Sequence, residues 1–145
     1  MQEISILIVD DSETDRYLLK RVIQKTELVA NIFESDNGQE ALDLLNDYDS
    51  NKSKYGESFP PLLVFLDINM PLVDGFEFLE QFSKLRTTQK DYESMVIILL
   101  SSSEHADDKR KAFAYDYVHD YIIKGSISTK ELRERISAIV DERFS

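Results

Sequence analysis

Residues 4 to 11 read Ile4-Ser5-Ile6-Leu7-Ile8-Val9-Asp10-Asp11. Five of the first six side chains are apolar and four of those are β-branched, and the apolar residues do not alternate with polar ones. A strand with one wet face would alternate, so this run predicts a strand covered on both sides, as in a parallel sheet. Two aspartates end it. The same format recurs: a weaker strand over Val29 to Phe33, a strong one over Leu62 to Leu66 ending at Asp67, one over Met95 to Leu100 ending at Ser101, and one over Tyr117 to Ile123 ending at Lys124.

Helical periods fill the intervals. Leu18, Leu19, Val22 and Ile23 recur at spacings of three and four, which predicts a helix with one buried stripe. Asn37 and Glu40 have capping-box spacing ahead of Ala41, Leu42, Leu44 and Leu45. Phe78, Phe82 and Leu85 share a face, Glu104 to Tyr115 reads as a polar helix, and Ser128 with Glu131 precedes the buried face of Leu132, Ile136, Ile139 and Val140. The stretch 47–61, rich in Ser, Asn and Lys and ending in Pro60-Pro61, reads as an extended loop or a helix extension. Five strand–helix units without a hairpin signal require helical crossovers, which place helices on both faces of the sheet. The predicted fold is a single doubly wound α/β domain over residues 1–145, with five helices and no output domain.

Composition narrows the chemistry. The chain has 145 residues, of which 42% are hydrophobic and 31% charged, the balance of a globular domain. Cysteine is absent and only His105 and His119 could supply imidazole, which excludes thiolate chemistry and disulfides. Seventeen basic residues against 28 acidic ones give a net charge of −11. The basic residues are scattered apart from Lys109-Arg110-Lys111, so direct nucleic-acid or membrane binding is not expected. No apolar run approaches the roughly 18 residues of a membrane span, and the expected location is the cytoplasm.

In an open α/β sheet, ligands bind beyond the carboxyl ends of the strands. Asp10, Asp11, Asp67, Ser101 and Lys124 stand at those ends. Clustered carboxylates repel unless a cation joins them. Oxygen donors without cysteine or histidine suit Mg²⁺, with Mn²⁺ as the alternative. Lys124 would hold a phosphoryl oxygen and Ser101 would donate a hydrogen bond to another. Each residue also has a plainer reading: Asp10 and Asp11 as helix caps, Lys124 as a strand terminus or ion pair, and Tyr121 as a half-buried strand tyrosine with a wet hydroxyl.

These residues carry a family resemblance that spans nearly the whole chain. Leu7-Ile8-Val9-Asp10-Asp11, Phe65-Leu66-Asp67-Ile68-Asn69-Met70-Pro71-Leu72-Val73-Asp74-Gly75, Leu100-Ser101 and Tyr121-Ile122-Ile123-Lys124 resemble the receiver domain of response regulators, such as the chemotaxis regulator. The resemblance implies a flavodoxin-like five-stranded parallel sheet in the order 2-1-3-4-5. It implies that Asp67 is the phosphoacceptor and that Asp10, Asp11, Asp67 and the backbone carbonyl of Asn69 hold Mg²⁺. Lys124 would then contact the phosphoryl group, while Ser101 and Tyr121 form a conformational switch. The partners implied are a sensor histidine kinase or histidine phosphotransfer protein and a downstream protein target, with a homodimer left open. The chain is thereby expected to be a signalling phosphoacceptor of a two-component or phosphorelay system, not an enzyme with a separate substrate.

Several features depart from the family pattern. Gly125 follows Lys124 where the family commonly has proline, often with a cis bond. A cis bond without proline costs about 3 kcal/mol or more, so a trans, mobile loop is expected. Serine replaces the commoner threonine at 101, with Ser102 adjacent. Asn69 and Ser103 occupy positions that flank the route of attacking water in the family. The 47–61 stretch and the run of serines are weakly similar to stand-alone receivers that accompany phytochrome-type kinases. Two rival readings are an aspartyl-phosphate hydrolase, which would need an acid where Asn69 stands, and an interaction domain that keeps the fold without the chemistry.

Overall fold

The computed structural model describes residues 4–70, 72–102 and 106–144. Its strands are β1 (Ile4–Val9), β2 (Val29–Ser35), β3 (Leu63–Asp67), β4 (Val96–Ser101) and β5 (Val118–Ile123). All pair in parallel, in the spatial order β2-β1-β3-β4-β5. The α-helices are α1 (Glu13–Lys25), α2 (Gly38–Asn46), α3 (Tyr48–Tyr55), α4 (Gly75–Leu85), α5 (Ala106–Ala112) and α6 (Thr129–Phe144). None of the described helices is long and apolar enough to cross a membrane.

Apolar residues on both faces of each central strand produce two cores. Leu7, Val9, Val64, Leu66, Ile97 and Leu99 point to the side covered by α2 and α4, where they meet Ala41, Leu45, Phe78 and Phe82. The alternate residues Ile6, Ile8, Leu63, Phe65, Val96 and Ile98 meet Ile23 of α1 and Leu132 and Ile136 of α6. Alternation of side chains along a strand puts these sets on opposite faces.

Local caps fix where the helices begin. The Asn37 side chain accepts from the Glu40 amide at 2.7 Å, and Ser128 Oγ accepts from the Glu131 amide at 3.1 Å, at the two positions the sequence spacing marks. A further capping box, Asp74 with Glu77, starts α4. Ser12, rather than Asp10 or Asp11, caps α1.

Two expectations are corrected. The described residues form six α-helices rather than five, because residues 48–55 form α3, a helix separate from α2. Its sequence, Tyr-Asp-Ser-Asn-Lys-Ser-Lys-Tyr, has no apolar stripe. Tyr48 and Tyr55 are seven residues apart, two helical turns, and both pack inward. Tyr55 meets Phe33 edge-on at 4.9 Å, while Tyr48 contacts Phe59 and Tyr92. The stripe expected on α1 is also only partly covered: Ile23 is buried, whereas Leu18 is 55% exposed. Leu18 lines a cleft between α1 and the segment after β5, where Gly125 supplies no side chain to cover it.

Tyr92 ties this aromatic layer together. Its ring is fully buried, and its hydroxyl donates to the carbonyl of Leu45 at the end of α2. Burial and the neighbouring Tyr48 hold its phenol above the usual tyrosine pKa. A Tyr92→Phe substitution keeps the packing but leaves that carbonyl without its donor. The expected loss is about 1 kcal/mol in urea unfolding, against about 3–5 kcal/mol for Tyr92→Ala, which also opens a cavity.

Candidate functional site

The carboxyl ends of β1 and β3 lie side by side because these strands pair, with Val9 opposite Leu66. That register brings Asp10 and Asp11 beside Asp67, and one carboxylate oxygen from each falls within 4.8 Å of the others. Asp10 and Asp67 are buried, with side chains 2% and 6% exposed, while Asp11 faces solvent. Lys124, just after β5, reaches in from the far side of β4. Its ammonium lies 2.8 Å from Asp10, 2.9 Å from Asp15 and 3.4 Å from Asp67.

The backbone around these groups is tightly determined. The Ser12 amide donates to Asp10 Oδ1 at 2.9 Å, and Arg16 donates to the Asp10 carbonyl at 2.7 Å. The Asn69 amide donates to Asp67 Oδ1 at 3.2 Å. Behind Asp67 the chain folds back so closely that Gly75 donates to the Ile68 carbonyl at 2.8 Å. A Cβ at Gly75 would stand 2.8 Å from Ile68 Cα and 2.9 Å from the Asp67 carbonyl oxygen. Glycine is needed here for close approach, and its place at the start of α4 anchors the helix to the strand end that carries Asp67.

Electrostatics set the protonation of the pair. Burial is the main cause that raises the Asp67 carboxyl, the Asp10 charge adds to it, and Lys124 with the Asn69 amide opposes both, leaving a pKa of about 7. For Lys124, burial works against the charged form. The bonds to Asp10 and Asp15 and the charges of Asp10 and Asp67 outweigh it and hold the ammonium above the usual lysine pKa.

The remaining sequence candidates take distinct places. Ser101 ends β4 and is buried, and its carbonyl accepts from the Lys124 amide at 2.7 Å; Ser102 is exposed. Tyr121 is buried against the α2–α4 side of the sheet, with the Lys109 ammonium 5.6 Å from its ring centre. The Asn69 residue is exposed at the rim. The Lys124–Gly125 bond is trans, the only cis bond among the described residues being Phe59–Pro60, and Gly125 takes a φ of +80° that suits glycine. Pro71, Ser103, Glu104 and His105 lie outside the described residues. Strand ends alone do not single out Asp15; its position four residues after Asp11, in the first turn of α1, is the available signal.

The chain matches the response regulator receiver domain over residues 6–137. It belongs to that family. A two-component response regulator from Cytophaga hutchinsonii superposes with a TM-score of 0.79 at 28% identity, covering 97% of this chain and 99% of that one. The bacteriophytochrome response regulator RtBRR aligns with a TM-score of 0.70 at 25% identity, over 95% of this chain and 78% of that one. Response regulator Rcp1 of Synechocystis is 26% identical over 92% of this chain and 84% of its own length. Its Mn²⁺-bound form superposes with a TM-score of 0.65, covering 94% of this chain and 91% of that one. The 2-1-3-4-5 sheet is thus the flavodoxin-like receiver fold, and two-component signalling is the family's setting.

The raised pKa of Asp67 has a consequence for stability. Between the ordinary value of 3.8 and about 7, the folded protein keeps a proton that the unfolded chain has lost. Stability without divalent metal therefore falls as pH rises through that interval. Asp67→Asn removes the buried charge, so its advantage over the wild type should be absent near pH 3 and reach about 1–3 kcal/mol by pH 8. Thermal melting in EDTA across this range measures the difference, and an advantage that shrinks with rising pH would contradict the assignment.

Proposed function

We propose that this receiver accepts a phosphoryl group on Asp67 from a phosphohistidine of a sensor histidine kinase or histidine phosphotransfer protein. The observation that carries the reading is the convergence of Asp10, Asp11 and Asp67 within 4.8 Å, with the Lys124 ammonium against two of them. One carboxylate oxygen of Asp67 would attack phosphorus while the bond from phosphorus to the imidazole nitrogen breaks, and that nitrogen leaves with the electron pair. The transition state of such a transfer is loose, so positioning and charge neutralisation provide most of the catalysis. Asp67 is well suited because the Asn69 amide orients one oxygen and the strand end holds the carboxylate at the rim.

The donor set fits a divalent cation. Three carboxylates in one pocket offer hard oxygen ligands, and the Asp10 charge adds to burial in disfavouring the ionised form of Asp67, a cost that a bound cation would relieve. Asp10, Asp11, Asp67 and the Asn69 carbonyl would hold Mg²⁺, or Mn²⁺ as in the Rcp1 structure. When bound, the ion would neutralise charge that gathers on the phosphoryl oxygens. Lys124 would pair with a phosphoryl oxygen as a compact cation, and the Ser101 hydroxyl would bond another.

The same groups supply a switch. Phosphorylation of Asp67 would add anionic oxygens at the sheet edge, where Ser101 ends the neighbouring strand, and a shift of its hydroxyl toward them would change the surroundings of Tyr121 on β5. The surface formed by α5, β5 and α6 would then present a different face to a downstream protein or to a second copy. Such a change moves a pre-existing equilibrium only as far as the phosphorylated form favours one state. Residues 1–145 would act together as one receiver unit.

Incubation with acetyl phosphate and Mg²⁺, followed by intact-mass measurement, tests the reading. The wild type should gain one phosphoryl group that is stable to acid and labile to base, and Asp67→Asn should gain none. EDTA should stop the reaction. Undiminished labelling of Asp67→Asn would place the acceptor elsewhere, and sustained turnover of a small phosphoester would favour a hydrolase.

A further inference from the structure

Lys124 has one anionic partner that the phosphoacceptor reading does not use. Asp15, in the first turn of α1, bonds the ammonium at 2.9 Å, nearly as closely as Asp10 at 2.8 Å and more closely than Asp67 at 3.4 Å. It does not belong to the carboxylate cluster formed by Asp10, Asp11 and Asp67. Its side chain is 42% exposed, whereas Asp10 and Asp67 are buried. Asp15 therefore stands on the outer wall of the site and draws Lys124 toward α1.

A lysine ammonium has three hydrogens to donate, and here three carboxylates lie within ion-pair reach of it. A phosphoryl oxygen that bonds Lys124 competes with them for those hydrogens. Asp10 is fixed by the Ser12 amide and Asp67 is the group being modified, which leaves Asp15 as the competitor. The same contact acts in the opposite sense on a divalent cation. An ammonium shared with Asp15 is less committed to Asp10 and Asp67, the carboxylates that the cation needs.

Resting on the phosphoacceptor reading, we propose that Asp15 is a positioning residue for Lys124 that restrains phosphorylation. It keeps the ammonium on the α1 side, which favours cation binding and withholds positive charge from the incoming phosphoryl group. Removing the Asp15 charge would free Lys124 for the phosphoryl oxygens and, before phosphorylation, let it settle on Asp10 and Asp67. Two constants should then move in ways that a helix-end charge alone would not produce.

Glu13 supplies the control, since it is an exposed carboxylate in the same first turn and is absent from the ion pairs of Lys124. Asp15→Asn and Glu13→Gln both remove one favourable charge from the start of α1. Two measurements compare them with the wild type: the rate of phosphorylation by acetyl phosphate at saturating Mg²⁺, and the Mg²⁺ dissociation constant from calorimetry. Asp15→Asn should be phosphorylated about threefold faster and bind Mg²⁺ about threefold more weakly, the scale that a half-exposed ion pair supports. Glu13→Gln should match the wild type in both. Slower phosphorylation of Asp15→Asn, or behaviour identical to Glu13→Gln, overturns the proposal. If the wild type gains no phosphoryl group, the phosphoacceptor reading fails by itself. The Mg²⁺ constant then decides whether Asp15 anchors Lys124, and an unchanged value overturns that role too.

Discussion

The ammonium of Lys124 lies against Asp10, Asp15 and Asp67, and the arrangement of the rim depends on that contact. Burial first and the neighbouring Asp10 charge second push the Asp67 carboxyl up, and Lys124 with the Asn69 amide offsets them only in part. The protein thus holds an anionic pocket that is incompletely neutralised. A divalent cation and a phosphoryl group, in combination, are the kind of ligands that such a pocket and lysine can accommodate together. The chain accepts this local cost because the surrounding backbone leaves the carboxylates no other place. Asp10 is tied to the Ser12 amide, and Asp67 closes a strand whose end is clamped by Gly75.

The fold was legible because double burial leaves a strong mark. β1, β3 and β4 are apolar on both faces, and only a sheet sandwiched by helices makes such runs economical in exposed surface. Asn37 and Ser128 announced two helix starts through their spacing to Glu40 and Glu131. The helix α3 was not legible, since its inward contacts come from two tyrosines in an otherwise polar octapeptide, and aromatic partners distant in sequence supply its packing. The partial exposure of α1 was hidden for a related reason. Periodicity says which residues share a face, but not how much of that face a neighbour covers.

The site follows the same logic. Parallel strands deliver their ends to one rim, so Asp10, Asp11, Asp67, Ser101 and Lys124 could be gathered from strand boundaries alone, and the first three do lie together with Lys124 among them. Burial also separates Ser101 from Ser102, a distinction that depends on strand register by a single residue. Asp15 could not be paired with Lys124 in this way. The two are 109 positions apart, and their contact depends on the angle at which α1 leaves the Ser12 cap. Side chains on helix walls, unlike those at strand ends, are brought to the rim by packing rather than by topology.

The central claim is that one acidic rim, and not the diffuse charge of a chain with a net −11, captures a divalent cation. Paramagnetic broadening by Mn²⁺ in amide-resolved NMR spectra tests it directly, since the ion bleaches signals around wherever it resides. Substoichiometric Mn²⁺ should first remove the amides of Asp10, Asp11, Asp67, Ile68 and Asn69, and excess Mg²⁺ should restore them. Broadening that begins elsewhere, or spreads evenly over the acidic surface without Mg²⁺ competition, would contradict the account.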